Sequence, residues 1–385
     1  MRHAARTFRL NPKHDVVLFD RLPKAQQERL AALRRDPDFY GVIVSRSGVT
    51  PATMIAASRD VALLLLTLRE AGQLPAYIVE SHDGDVERAI DKLVLDGVLE
   101  VALDDGTFIS GPAAATAAVS DANSLGRIGQ LSRAAVEFAA AFGARDRLDI
   151  EARLYRYNYR PIPPQWSGRV ATPNAVHTFL GLNRAPIANL LNRRWHALPV
   201  EDGDAWIQWM TRDEYLVKRS ERDVQYKLYV SPSLADLPVV FEQTIGVLAE
   251  AGAPTFKVGG TARDITRPDK LVAYFPTRER TLDCGAMLAE KLGQRRAQGV
   301  PFSAEVGGDG LISWGVDPAE IPGRSSQLSW RRWVCRRLAH YIATAGATPG
   351  AQAWQFAFER LRLEGVNTAT WEPNVALMNA GTMVA

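Results

Sequence analysis

Apolar and polar positions alternate most clearly between Gln225 and Phe275. Gln225-Tyr226-Lys227-Leu228-Tyr229-Val230 reads as a strand, Leu234 to Gly252 as a helix, and Thr255-Phe256-Lys257-Val258 as a second strand. A basic, glycine-containing loop from Gly259 to Lys270 leads into a third strand, Leu271-Val272-Ala273-Tyr274-Phe275. Each of these apolar strands carries a lysine or tyrosine that period-two alternation can turn to one face.

The rest of the chain reads in order. Val16 to Phe19 and Gly41 to Val44 predict short strands, with a helix starting at Pro23 between them. Thr50-Pro51 reads as an N-cap and first helical position, continued by Ala52 to Ser58; Asp60 caps a helix over Val61 to Ala71. Asp85 to Leu95 has Val86, Ala89, Ile90 and Leu93 on one helical face. Two apolar runs around Asp104-Asp105-Gly106 then give a hairpin signal. Helices followed by a two-stranded wing predict a winged-helix-like module over residues 1–112.

Small and polar residues from Ala113 to Ser124 mark a linker, and 113–200 reads as a helical connector. Within it, the alternating tyrosines and arginines of Leu154 to Arg160 predict a strand running into a proline segment. Trp206-Ile207-Gln208-Trp209 predicts a strand whose two tryptophans bracket a core. Residues 201–320 form an α+β domain, in which Gly307-Gly308-Asp309-Gly310 is a tight turn between strands. Residues 321–385 form C-terminal helices, with Arg331, Arg332, Arg336 and Arg337 placed on a solvated face of one of them. The expected class is therefore α+β: an N-terminal winged-helix-like module, a mixed-sheet domain and C-terminal helices.

Composition narrows the function. A chain of 385 residues with 46% hydrophobic and 23% charged content is ordinary for a globular protein. A net charge of +3 supplies no broad field for nucleic acid. The acidic helix with Asp85, Glu87, Asp91 and Asp96 would repel phosphate, so the module is expected to hold a peptide, for instance by strand addition, and a nucleic-acid-binding role is the weaker alternative. Two distant cysteines and scattered histidines form no disulfide framework and no metal motif. The longest apolar run, Val61 to Leu66, is too short to span a bilayer, and no signal peptide opens the chain; a cytoplasmic protein without metal or cofactor is expected.

Chemistry concentrates in the central strands. If Lys227 and Lys257 lie on neighbouring strands, each cation lowers the other's pKa, and a lysine near neutrality can serve as a general base. Arg263 and Arg267 on the intervening loop would hold an anionic leaving group. Such a constellation suits β-elimination of phosphate from a phosphorylated serine or threonine.

The stretch Lys227-Leu228-Tyr229-Val230, then Phe256-Lys257-Val258, then Arg267-Pro268-Asp269-Lys270-Leu271-Val272-Ala273-Tyr274-Phe275 resembles the phosphothreonine lyases among bacterial type III effectors. It is also similar to the lyases of lanthipeptide and related ribosomal peptide biosynthesis. The resemblance implies Lys257 as the base, with Lys227, Arg267 and Tyr274 as phosphate and enolate contacts. Tyr229 stands where the family has a histidine acid, and the family's late arginine corresponds to Arg324 or Arg331. The substrate it implies is a phosphorylated precursor peptide, with a separate kinase as partner, because this chain carries no kinase motif. The alternative from another class is a non-catalytic peptide-binding subunit that kept the fold and lost the acid.

Overall fold

The structure, a computed structural model, describes residues 5–46, 54–80, 84–117, 125–142, 146–199, 206–213, 225–318, 328–376 and 378. The chain is α+β and divides into two units, Met1–Ser120 with Ala347–Leu363, and Asp121–Gly346 with Glu364–Ala385.

The first unit holds β1 (Thr7–Leu10), β2 (His14–Leu18), β3 (Phe39–Ser45), β4 (Ile55–Ser58), β5 (Gly72–Gln73), β6 (Leu99–Ala102) and β7 (Phe108–Ile109). They form one sheet of order β5-β1-β6-β7 and another of order β2-β3-β4. Phe8, Leu65, Leu68, Ile90 and Val98 anchor the core between them and the helices. The segment predicted to continue a helix through Ser58 is instead strand β4, paired with β3. Ser58 ends it by capping the next helix, Arg59–Thr67, its side chain accepting the Val61 N–H. The predicted hairpin is present as β6–β7, with Gly106 at φ 80° in its turn. The acidic helix Gly84–Leu95 packs against the helix Ala353–Leu363, where Arg362 pairs with Asp91 at 3.0 Å and Arg360 pairs with Asp96.

The second unit is built on a seven-stranded antiparallel sheet. Its strands are β8 (Trp195–Ala197), β9 (Trp206–Thr211), β10 (Tyr226–Val230), β11 (Thr255–Gly259), β12 (Leu271–Phe275), β13 (Ala304–Val306) and β14 (Ile312–Val316). Their order is β13-β14-β10-β12-β11-β9-β8, which puts β10 and β12 near the centre. One face carries Leu228, Val230, Phe256, Val258, Leu271, Ala273 and Trp314. It packs against Val240, Phe241, Ile245 and Leu248 of helix Leu237–Glu250 and Cys284 and Leu288 of helix Arg278–Leu292. Burying these side chains is worth about 1.5–3 kcal/mol each and fixes the strand register, because a one-residue slip would turn the whole set to the other face. The Gly307–Gly310 turn does join β13 to β14, and Gly307, Gly308 and Gly310 all have positive φ.

Two expectations for this unit do not hold. Leu154 to Arg160 is no strand: Arg147–Arg156 is a helix and Asn158 turns the chain at φ 65°. Ile150 and Leu154, four residues apart and both buried, give a helical stripe that outweighs the Tyr/Arg alternation, and Asp146 caps the first turn. The helix Trp330–Ala345, which packs along Arg147–Arg156, does not keep all its arginines in solvent; Arg331 is 1% exposed.

Candidate active site

The sheet face opposite the core carries the polar residues. Antiparallel register places Lys227 opposite Tyr274, which is opposite Thr255; two residues along, Tyr229, Val272, Lys257 and Gln208 form the next row. Alternation therefore turns Lys227, Tyr229, Lys257 and Tyr274 to the same side. The Lys227 and Lys257 amines lie 5.3 and 5.6 Å from the centre of the Tyr274 ring.

Glycine admits the helix that covers this face. A Cβ on Gly315 would come 2.3 Å from the Trp330 ring, so only glycine lets that indole lie on β14. Trp330 donates its backbone N–H to Asp317 Oδ1 at 2.7 Å and its indole N–H to the Phe302 carbonyl at 2.7 Å. The next residue, Arg331, enters the site. Asp317 uses its other oxygen on Lys227, at 2.6 Å. The two lysines are not on neighbouring strands as the sequence expectation required, because β12 lies between β10 and β11, and Lys227 is held by Asp317.

Asp269 is the second anchor. Arg267 reaches it with Nε at 2.9 Å and Nη2 at 3.1 Å, a two-pronged grip, and Arg331 Nη1 lies 2.8 Å from Oδ2. Nε of this buried guanidinium has no hydrogen-bond acceptor, while Nη2 donates to the Tyr155 carbonyl at 3.1 Å. Arg267 also donates to the Tyr155 hydroxyl at 3.1 Å and lies 4.7 Å from the centre of the Trp206 ring. The Lys257 amine sits 4.4 Å from that same ring.

These contacts fix the electrostatics. Burial works against the Asp269 charge, yet Arg331 and the hydrogen bonds from Arg267 hold its carboxyl well below the usual carboxylate range. Burial likewise opposes the charges of Arg267 and Arg331, and Asp269 keeps both guanidinium groups more firmly protonated. The phenols move the other way. Burial, then Asp317, pushes the pKa of both Tyr229 and Tyr274 well up; burial, then Asp269, raises Tyr159 to about 12. Tyr229 and Tyr274 therefore stay protonated and keep an O–H to offer as a hydrogen-bond donor.

Of the residues singled out from sequence, Lys227, Tyr229, Lys257, Arg267, Tyr274 and Arg331 share this face. Arg263 does not join them: it precedes the short 3-10 turn Asp264–Thr266 and is exposed, so proximity to Arg267 in sequence did not carry it into the site. Arg324 lies outside the described residues. Asp269, Asp317, Tyr155 and Trp206 were missed. Trp206 was legible, since residues 206 and 209 of one strand must face opposite ways: Trp209 stacks on Phe256 in the core at 4.9 Å, and Trp206 faces the site. Asp317 follows Ser313 and Gly315 at the same two-residue spacing. Tyr155 was hidden by the strand reading of its helix. Among the described residues, no group of three His, Cys, Asp or Glu is arranged to hold a metal ion.

No protein-family model matches this chain, and no curated protein matches it. Solved structures do. The effector protein from Pseudomonas syringae pv. syringae strain 61 is 14% identical with a TM-score of 0.41, over 64% of this chain and 98% of that one. The type III effector and phosphothreonine lyase OspF from Shigella flexneri is 14% identical with a TM-score of 0.27, over 33% of this chain and 75% of that one. The phosphothreonine lyase SpvC, an effector protein from Salmonella, is 12% identical with a TM-score of 0.25, over 46% of this chain and 100% of that one.

Proposed function

We propose that this protein eliminates phosphate from a phosphoserine or phosphothreonine. The observation that carries this reading is the gathering of four cationic side chains and two protonated phenols on one sheet face. Lys227, Lys257, Arg267 and Arg331 accompany Tyr229 and Tyr274 there. Lys257, half-buried and set against aromatic rings, takes the Cα proton; the C–H electrons form the Cα=Cβ bond and the Cβ–O bond breaks. Phosphate departs toward Arg267 and Arg331, with Tyr229 or Lys227 donating to the leaving oxygen. Arg331 brings a buried Nε–H that lacks an acceptor, a feature suited to an anion.

The substrate in this reading is a ribosomally made precursor peptide, phosphorylated by a separate kinase, and the product contains a dehydroamino acid. The first unit, read as a winged-helix-like module, would hold the unmodified part of that peptide. One observation favours the alternative of a binding subunit without activity: the family's histidine is replaced by Tyr229, whose phenol burial makes a weaker acid.

The test is loss of phosphoric acid from a phosphorylated precursor peptide, followed by mass spectrometry. Lys257→Ala is expected to lower the rate on the order of 10²–10⁴-fold with the fold intact. Phosphopeptide that is bound but never eliminated by wild type would establish the binding subunit instead.

A further inference from the structure

Lys270 is wholly buried, touches no solvent and has no part in the chemistry above. Its amine donates to the Pro232 carbonyl at 2.9 Å and to Gln298 Oε1 at 2.5 Å. The other end of Gln298 donates to two more backbone carbonyls, Asn158 at 2.6 Å and Thr266 at 2.9 Å. Asn158 returns the contact, its amide donating to the Gln298 and Gly299 carbonyls at 2.9 Å each. The Arg160 N–H also donates to the Thr266 carbonyl, at 3.2 Å. One lysine and one glutamine thus tie together segments far apart in sequence, around Asn158, Thr266 and Gln298.

Two of these segments carry the anion site. Thr266 immediately precedes Arg267, and Asn158 lies between Tyr155 and Tyr159, whose ring centres are 5.9 and 5.8 Å from the Arg267 guanidinium. Lys270 itself follows Asp269, the carboxylate that grips Arg267. We infer that Lys270 and Gln298 form a buried brace that sets Arg267 against Tyr155 and Tyr159, making both positioning residues for the anion-binding guanidinium. The inference rests on the lyase reading for what Arg267 binds, but the brace itself does not. Burial without a carboxylate at hydrogen-bond distance lowers the Lys270 pKa to about 7, against the pull of Asp269 and with help from Arg160, so its charge changes within the working range of pH.

The experiment uses the full chain with Lys270→Met and Gln298→Glu. The first removes the amine; the second keeps an acceptor for it and loses both donors to Asn158 and Thr266. Each variant should weaken binding of a phosphopeptide by roughly tenfold or more, because small misplacements of a binding group are costly, while binding of the unphosphorylated peptide is unchanged. The ratio of wild-type to Lys270→Met affinity should also vary between pH 6 and 8, which comparison at matched pH separates from titration of the phosphate. Unchanged phosphopeptide affinity in Gln298→Glu would show a structural tie only and overturn the proposal, even if Lys270→Met fails to fold. If wild type binds no phosphopeptide, the lyase reading fails and the brace is judged by the Arg267 Nε–H nuclear magnetic resonance, which the nearby rings of Tyr155 and Tyr159 shift. A moved resonance in Gln298→Glu sustains it; an unmoved one overturns it.

Discussion

Asp269 is a single carboxylate serving two arginines, and its loss or theirs should be asymmetric. Removing a guanidinium strands part of a buried charge, whereas removing the carboxylate leaves two cations that an incoming anion can satisfy. Arg331→Met should therefore cost about 3 kcal/mol or more of stability in urea unfolding, and a cost under about 1 kcal/mol would mean that Arg331 is not paired in solution. Asp269 and Lys270, neighbours in sequence, give pH effects at opposite ends of the scale. The folded pKa of Asp269 lies below its ordinary 3.8, so its contribution is complete above that range and is lost as acid protonates it. Lys270, at about 7 instead of 10.5, is favoured uncharged in the folded state; its penalty is full below pH 7 and is relieved as pH rises toward 10.5. Stability of wild type relative to Lys270→Met should rise between pH 7 and 9. A flat difference across that window would contradict the buried placement of the amine.

At the level of elements, the site depends on a helix lying on a strand. Gly315 admits Trp330, Trp330 reaches Asp317, and the helix they start delivers Arg331. Gly315→Ala should force the indole off β14, costing roughly 1–3 kcal/mol as overpacking does and weakening phosphopeptide binding through Arg331. Wild-type melting and binding in this variant would rule that linkage out. The same elements show what sequence could and could not supply. Strand alternation placed Lys227, Tyr229, Lys257 and Tyr274 on one side, because period two follows from backbone geometry. It could not say which helix would cover them. Arg331 reads two ways in sequence, as one of a solvated run with Arg332, Arg336 and Arg337 and as a candidate for the family's late arginine; the docking of Trp330 on glycine turns it inward. Asp317 and Asp269 are ordinary acidic residues until tertiary pairing gives each a cation.

For the whole molecule, the proposed function divides the work between the two units, with chemistry in the second and peptide holding in the first. The first unit has short outer strands, β5 and β7 in one sheet and β2 and β4 in the other, to which an extended chain can add. Its acidic helix Gly84–Leu95 is not bare, since Asp91 and Asp96 already pair with Arg362 and Arg360. Those pairs hold the helix against Ala353–Leu363, so that side of it is covered by its neighbour. Strand addition works through backbone hydrogen bonds, which salt weakens little, whereas neutralising phosphates makes affinity fall steeply as salt rises. Fluorescence anisotropy with a labelled unphosphorylated precursor peptide and with a labelled DNA duplex, each from low to moderate salt, should separate the two modes. Peptide binding should persist with a shallow salt slope, and duplex binding should be weak throughout. Tight duplex binding with a steep slope would instead make the first unit a nucleic-acid module, and the precursor peptide would then have to be held by the second unit alone.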